Sequence, residues 1–482
     1  MVFARRGSCP CQTASPPCLI SEGPGPAIHG VLIGNGYRDI NYADGRGGAG
    51  SPLIENPRRV AVIGGNRIPF ARSNSAYSHA SNQEMLTAAL DGLIDRFGLQ
   101  EERLGEVAGG AVLKHSRDRD LTRESVLGTS LAPETPAYDV QQACGTGLET
   151  VVLVANKIAL GQIEVGIACG ADTTSDAPIA LNEQLRATLL EANRQRSKIG
   201  KLRALGGVRP SHIMPAIPRN EEPRTGLSMG EHCAIMARDW GIARGAQDEL
   251  TVASHRNLAA AYERGFFDDL ITPHRGLERD QNLRADSNVE KLATLKPVFG
   301  GQQGTMTAAN STPLSDGASA VLLASAQWAA QRDLPVLAYV TAAQTAAVDY
   351  VDGHEGLLMA PAYGMARMLD RAGLGLEDFD YYEIHEAFAA QVLCTLAAWE
   401  DPVFCSERLG RDGPLGAVDR RKLNVNGGSL AAGHPFAATG GRIVAALAKQ
   451  LSANGAGRGV ISICAAGGQG VLAVLESAGG PA

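Results

Sequence analysis

The chain has 482 residues, 44% hydrophobic and 20% charged, enough to bury a large core divided among several structural units. Its 51 Asp and Glu outnumber 44 Lys and Arg, a net charge of -7 that lacks the basic footprint of a nucleic-acid or anionic-membrane binder. With 57 Gly and only 5% aromatic residues, the composition suits close helix-to-sheet packing in an α/β protein.

Residues 1–56 are rich in Gly, Pro and Ser without hydrophobic periodicity, and are expected to form a disordered extension. The C-x-C-x6-C spacing of Cys9, Cys11 and Cys18 has no second half for zinc, so no metal site is expected. Nine cysteines in a long chain do not form a secreted disulfide framework and point to a reducing cytoplasm. No apolar run approaches the ~18 residues of a transmembrane helix.

Order is expected to begin with the apolar strand Arg59–Gly65, followed by a helix capped by Ser81. Its apolar face carries Met85, Leu86, Ala89, Leu90, Leu93 and Ile94 at helical spacing. The pattern then recurs. Gly98-Leu99 leading into Leu104–Val107 parallels Gly373-Leu374 leading into Phe379–Ile384. Cys144 opens a helix with Leu148, Val151, Val152, Ala155, Ile158 and Ala159 on one face, and His434 opens its counterpart with Ile443, Val444, Leu447 and Leu451. Each helix is followed by a strand with a cysteine, Val165–Cys169 and Val460–Cys464. The next strand follows at once in the second copy, as Val471–Leu475. In the first it is delayed to Asp316–Leu323 by a polar insertion with helical patches such as Gln247–Ala261. Two duplicated halves related by a pseudo-twofold axis would bring the helix starts at Cys144 and His434 together.

Four motifs carry chemistry. In Gln141–Gly147 a cysteine sits where a strand turns into a helix, so the helix dipole favours thiolate and first-turn N–H groups can serve an oxyanion. In isolation Cys144 would read first as a buried small hydrophobe, a weighting that the flanking glycines and the rest of the constellation reverse. Gly433-His434-Pro435 places an imidazole beside the matching helix start, with the proline suited to its first turn, where it can take a thiol proton; a lone histidine there would read as a cap. Cys464–Gly470 runs from a strand end into a glycine-rich turn, either a second acid–base thiol or a tight hairpin with an incidental cysteine. His385-Glu386-Ala387-Phe388-Ala389 puts a polar donor at the end of a strand, with Glu386 as a turn anchor. It is not a zinc helix, because Ala389 stands where a second histidine would be needed.

These four motifs, in this order, resemble the thiolases from about Arg58 to Leu475. His385-Glu386-Ala387-Phe388 with Cys464-Ala465-Ala466-Gly467-Gly468 is similar to the branch of trifunctional-enzyme β subunits and actinobacterial fatty-oxidation acyltransferases. The resemblance implies an α/β thiolase fold, with two βαβαβαββ halves forming a five-layer α-β-α-β-α core. Its divisions fall at 57–176 with 305–332 for the N-terminal half, 177–304 for an inserted loop domain that binds CoA and acyl groups, and 333–479 for the C-terminal half. By the same resemblance Cys144 is the acylated nucleophile, His434 its base and Cys464 the acid for the departing enolate. His385 and His434 would form one oxyanion hole, and the N–H groups of Cys144 and Ala466 the other. Met229 would line the acyl pocket, Ala308 and Thr312 the pantetheine arm, and Arg284 the nucleotide.

The implied activity is thiolysis of 3-ketoacyl-CoA by CoA, reversible as a Claisen condensation, with CoA as substrate and no tightly bound cofactor. A homodimer or homotetramer is implied, with a hydratase and dehydrogenase subunit as a further partner. A ketoacyl synthase is the rival enzyme, disfavoured because such enzymes pair one cysteine with two histidines where this chain offers Cys464. A silent scaffold in a β-oxidation complex is the rival without catalysis.

Overall fold

The computed structural model describes residues 57–480 except 219 and 354, so the expected extension at 1–56 lies outside the described residues. The core elements of the first half are β1 (Val60–Arg67), α1 (Asn82–Phe97), β2 (Glu106–Gly109), α2 (Leu121–Leu127), β3 (Ala137–Asp139), α3 (Thr146–Ala159), β4 (Val165–Asp172) and β5 (Ser315–Ser325). The second half has β6 (Ala338–Ala347), α4 (Ala360–Ala372), β7 (Tyr381–Ile384), α5 (Ala389–Glu400), α6 (Ala438–Asn454), β8 (Arg458–Ala465) and β9 (Gln469–Ser477). Ser81 caps α1 by accepting from the Glu84 N–H at 3.1 Å, and Gly98 ends it in the left-handed conformation at φ 62°.

The duplication shows in strand pairing. In the first half β4 lies antiparallel to β5 and parallel to β2; in the second, β8 lies antiparallel to β9 and parallel to β7. Antiparallel pairing of β1 with β6 joins the halves, giving the strand order β7-β8-β9-β6-β1-β5-β4-β2-β3. The first half ends in β3; in the second, a single bridge between Tyr382 and Leu423 takes the corresponding place beside β7.

Alternation along the strands sorts side chains into three cores. On β5, Ala318, Ala320, Leu322 and Ala324 face a layer shared with α1, while Val321 and Leu323 face a middle layer. On β9, Val471, Ala473 and Leu475 face the middle, and Leu472 and Val474 face outward to a layer shared with α4 and α5. The middle layer holds α3 and α6, the latter buried along almost all its length. Helices thus lie outside and between the sheet halves, the layered α/β arrangement that the resemblance implies.

The two central helices touch backbone to backbone. A Cβ on Gly147 would stand 2.3 Å from the Ala437 carbonyl oxygen, and one on Gly440 would stand 2.1 Å from the Leu148 nitrogen. Only glycines allow so close a crossing, and they sit next to the two loops that carry the candidate chemistry.

The chain between β4 and β5 contains the helices Met229–Asp239 and Arg244–Glu263, the latter enclosing the expected helical patch. A buried polar cluster fastens this segment to β1. Arg67 gives Asp280 two hydrogen bonds, at 2.6 and 2.7 Å, while the Phe70 N–H and the Tyr262 hydroxyl donate to the same carboxylate. Among the described residues, no helix is long and apolar enough to cross a membrane.

Candidate active site

The cysteine at the entrance to α3 is aimed by a strained turn. Ala143 has φ 46°, the left-handed region that a residue with a Cβ rarely adopts, which costs on the order of 1–3 kcal/mol. Thr146 offsets the strain through its hydroxyl, which donates to the Ala143 carbonyl at 2.7 Å and accepts from the Gln142 N–H at 2.8 Å. Cys144 is left half-buried, with one side open.

His434 arrives from the other half, as the duplication requires. Its Nε2 lies 3.1 Å from the Cys144 Sγ, and its Nδ1 lies 2.6 Å from the Thr439 hydroxyl. The route differs from the expected one in one respect. His434-Pro435 does not open α6, because the helix begins only at Ala438; the two residues occupy a turn after the short helix Ser429–Ala432. Gly433 makes that turn at φ 104°, with its Cα so near Ser315 that a Cβ would come within 2.8 Å of the hydroxyl. The Ser315 hydroxyl then accepts from the His434 N–H at 3.2 Å.

His385 follows β7 and stacks obliquely on His434, ring centres 4.1 Å apart. Its Nδ1 meets the Ser429 hydroxyl at 2.9 Å, while its buried Nε2 has no hydrogen-bond partner among the described residues. Cys144, His385 and His434 bring one side-chain N or S atom each to within 4.8 Å of one another. Cys464 is the penultimate residue of β8, close enough to Cys144 for the Cys144 charge to oppose its ionisation. Gly467 and Gly468, at φ 78° and 70°, make the turn after it.

Protonation follows from burial. Desolvation pushes the Cys144 thiol up to about 12, with Asp172 adding to it, despite N–H groups of Ala466 and Cys144 itself directed at the sulfur. Burial and then the Arg442 charge push His434 down to about 3, and burial, His434 and Arg442 push His385 well down. The resting pair is therefore neutral thiol and neutral imidazole. Desolvation thus opposes the thiolate that the helix entrance favours. Cys464 is likewise pushed well up by burial.

Three buried carboxylates frame the site, one inside a motif and two outside any. Glu386, buried beside His385, accepts from the Ser254 hydroxyl at 2.7 Å, from Asn424 Nδ2 at 2.6 Å and from the Leu430 N–H at 3.1 Å. It clamps the loop that leads to His434, and so does anchor a turn as its position suggested. Asp172 accepts the N–H groups of Val112, Leu113 and Ala437, joining the two halves behind Cys144. Glu222, from the segment between β4 and β5, accepts the Gly467 N–H at 2.8 Å and steadies the turn after Cys464. Asp172 and Glu222 are distant in sequence from most of the groups they hold, so local pattern could not single them out.

The remaining expected residues lie farther out. Met229 begins the helix capped by Ser228 and packs against the outer core of the second half. Thr312 donates its hydroxyl to the Ala387 carbonyl at 3.0 Å, keeping its oxygen lone pairs free, and Ala308 is exposed three residues upstream of the buried Ser311. Arg284 is exposed, with its N–H donated to His255 at 3.1 Å. Arg72 was not expected: partial desolvation, and then repulsion from the Arg284 charge, lower its pKa, so the two exposed guanidiniums lie near each other.

Comparison with known proteins agrees across almost the whole described chain. Residues 60–327 match the thiolase N-terminal domain, and residues 334–477 match the thiolase C-terminal domain. A 3-ketoacyl-CoA thiolase of Pectobacterium atrosepticum is 41% identical over 88% of this chain and 98% of its own, and one of Yersinia pestis is 38% identical over 87% and 97%. Among solved structures, an acetyl-CoA acetyltransferase of Bacillus anthracis superposes with a TM-score of 0.73 at 28% identity, covering 88% of this chain and 100% of its own. Human mitochondrial 3-ketoacyl-CoA thiolase in complex with CoA superposes with a TM-score of 0.73 at 26% identity, covering 87% and 98%. With both family domains matched in order and relatives aligned nearly end to end, the chain belongs to the thiolase family.

Proposed function

We propose that the protein is a 3-ketoacyl-CoA thiolase, and the observation that carries this reading is the 3.1 Å contact between Cys144 and His434, contributed by opposite halves. Because the resting pair is neutral, the Cys144 proton passes to His434 Nε2 as sulfur attacks the 3-keto carbon. The N–H groups of Cys144 and Ala466 receive the charge that develops on the carbonyl oxygen. The bond between C2 and C3 then breaks. Cys464 protonates the enolate, held by His385 and His434, and acetyl-CoA departs. The thiol of an incoming CoA returns a proton to Cys464 as it attacks the acyl-enzyme. Cys144 leaves as thiolate and recovers its proton from His434, so the cycle closes. In reverse, the same groups perform the condensation.

CoA is read as lying along Ala308 and Thr312, with its phosphates toward Arg284 and Arg72, and the acyl chain toward Met229. The insertion, 177–304, is assigned to this binding role. Cys464 sets the site apart from a ketoacyl synthase, and the intact constellation favours catalysis over a silent scaffold. The half-exposed edge strand β3, with the unpartnered buried oxygens Glu149 Oε2 and Gln142 Oε1 nearby, favours pairing with a second copy. The place of the resulting dimer or tetramer beside a hydratase and dehydrogenase subunit rests on resemblance. The free thiols of Cys144, Cys169, Cys233, Cys394, Cys405 and Cys464 accord with a cytoplasmic enzyme of fatty-acid β-oxidation.

Incubation with a 3-ketoacyl-CoA in the absence of free CoA, followed by mapping of the acylated peptide, tests the assignment. The thioester is expected on Cys144. Acylation at Cys464 would overturn it.

A further inference from the structure

Two imidazoles stacked at 4.1 Å in the same buried site face opposite demands under the proposed thiolysis, on which this inference rests. His434 must present a bare Nε2 to the Cys144 thiol, so its Nδ1–H is donated to Thr439. His385 can serve as an oxyanion donor only if its Nε2 carries the hydrogen. An ordinary histidine is free to choose either tautomer, and the choice is set by what meets the other nitrogen.

For His385 the partner is Ser429, and Ser429 is itself constrained. Arg442 Nη2 donates to the Ser429 hydroxyl oxygen at 3.1 Å, and a guanidinium can never accept in return. Among the described residues, the acceptor that meets the Ser429 hydroxyl is His385 Nδ1 at 2.9 Å. Were Nδ1 protonated instead, two donors would point at the serine oxygen and its own hydrogen would be stranded in a dry interior. Ser429, His385 and Arg442 are all buried, so no solvent relieves that penalty.

We propose that Arg442 and Ser429 form a one-way hydrogen-bond relay that holds His385 as the Nε2–H tautomer, making a neutral imidazole a fixed donor to the thioester or enolate oxygen. The unpartnered His385 Nε2 is then a donor left open for substrate, not a defect of packing. Ser429 and Arg442 are positioning residues: neither touches the reacting atoms, and each acts through His385. The Arg442 charge contributes a second effect, since it disfavours protonation of both histidines.

Histidine-labelled NMR of the wild-type protein, which distinguishes protonated from bare ring nitrogens, reads the tautomer directly, with His385→Asn used to assign the signal. Nε2–H with bare Nδ1 is expected; Nδ1–H would overturn the relay. Kinetically, Ser429→Ala is expected to lower kcat for thiolysis of acetoacetyl-CoA by about ten- to a hundredfold, the loss expected when a buried hydrogen bond that orients a catalytic donor is removed. Ser429→Thr, which keeps the hydroxyl, should recover most of it. Alkylation of Cys144 by iodoacetamide should remain near the wild-type rate in Ser429→Ala. A folded Ser429→Ala that turns over normally, or one that loses alkylation in step with turnover, would overturn the proposal. Absence of thiolysis in the wild type would refute the functional reading instead, and the NMR signal would still report the tautomer.

Discussion

Replacing Gly147 with alanine tests whether the crossing of α3 and α6 sets the catalytic distance. The new Cβ would lie 2.3 Å from the Ala437 carbonyl oxygen, whereas ordinary contact begins at 3.4 Å. The obstacle is backbone, so the helices must separate by about 1 Å, a shift that overpacks the middle layer and costs about 1–3 kcal/mol. Ala437 is three residues beyond His434, and Cys144 is three before Gly147. The same displacement would stretch the 3.1 Å contact between Cys144 and His434 past hydrogen-bonding range. A misplacement of that size slows a positioned reaction by about 10²-fold. Thermal unfolding would report the loss of stability, and single-turnover release of acetyl-CoA from acetoacetyl-CoA the acylation rate. Gly440→Ala, approaching the same contact from the other helix, should behave alike. Gly245→Ala, in the helix Arg244–Glu263, is the matched control: its new Cβ would meet nothing within 4 Å, so it should be neutral or slightly stabilising. If Gly147→Ala melts lower yet acylates at the wild-type rate, the crossing does not set the distance and the reasoning fails.

The two histidines should separate by assay. His434→Ala is expected to abolish acylation of Cys144, whereas His385→Ala should leave iodoacetamide alkylation of Cys144 near the wild-type rate and lower turnover by ~10²–10³, the usual cost of one oxyanion donor; equal loss of alkylation in both would show a shared role. Because burial holds the Cys144 pKa at about 12, above that of a free thiol, the thiolate is scarce at neutral pH and grows as pH rises. Alkylation of Cys144 should therefore climb without a plateau between about pH 6 and 9, and a plateau in that range would reveal a preformed thiolate–imidazolium pair. Asp280→Ala should cost about 3–5 kcal/mol in denaturant unfolding, because it strands the buried Arg67 that it pairs twice; a loss below about 1 kcal/mol would show that the cluster does not fasten the insertion.

Much of the architecture is written locally. The faces of α1 and α3 could be read from residues such as Leu90 and Val151 because burial imposes helical spacing, and the duplication could be read because both halves repeat one order of strand, helix and cysteine-bearing strand. Cys144, His434, His385 and Cys464 stood out because each lies at a strand or helix boundary among small residues and glycines, where backbone geometry is itself encoded in residue type. What no local pattern carries is the company these groups keep. The start of α6 moved past Pro435 because the turn is held by Ser315, which lies more than a hundred residues upstream. The clamp on Glu386, the Glu222 support beneath Gly467 and the relay from Arg442 through Ser429 to His385 join segments that only the packed sheet and its central helices bring together. The protonation of Cys144 belongs to the same class: a thiol at a helix entrance is legible from residue order, but the upward push on its pKa is not, because desolvation depends on everything packed around the sulfur rather than on its neighbours in the chain.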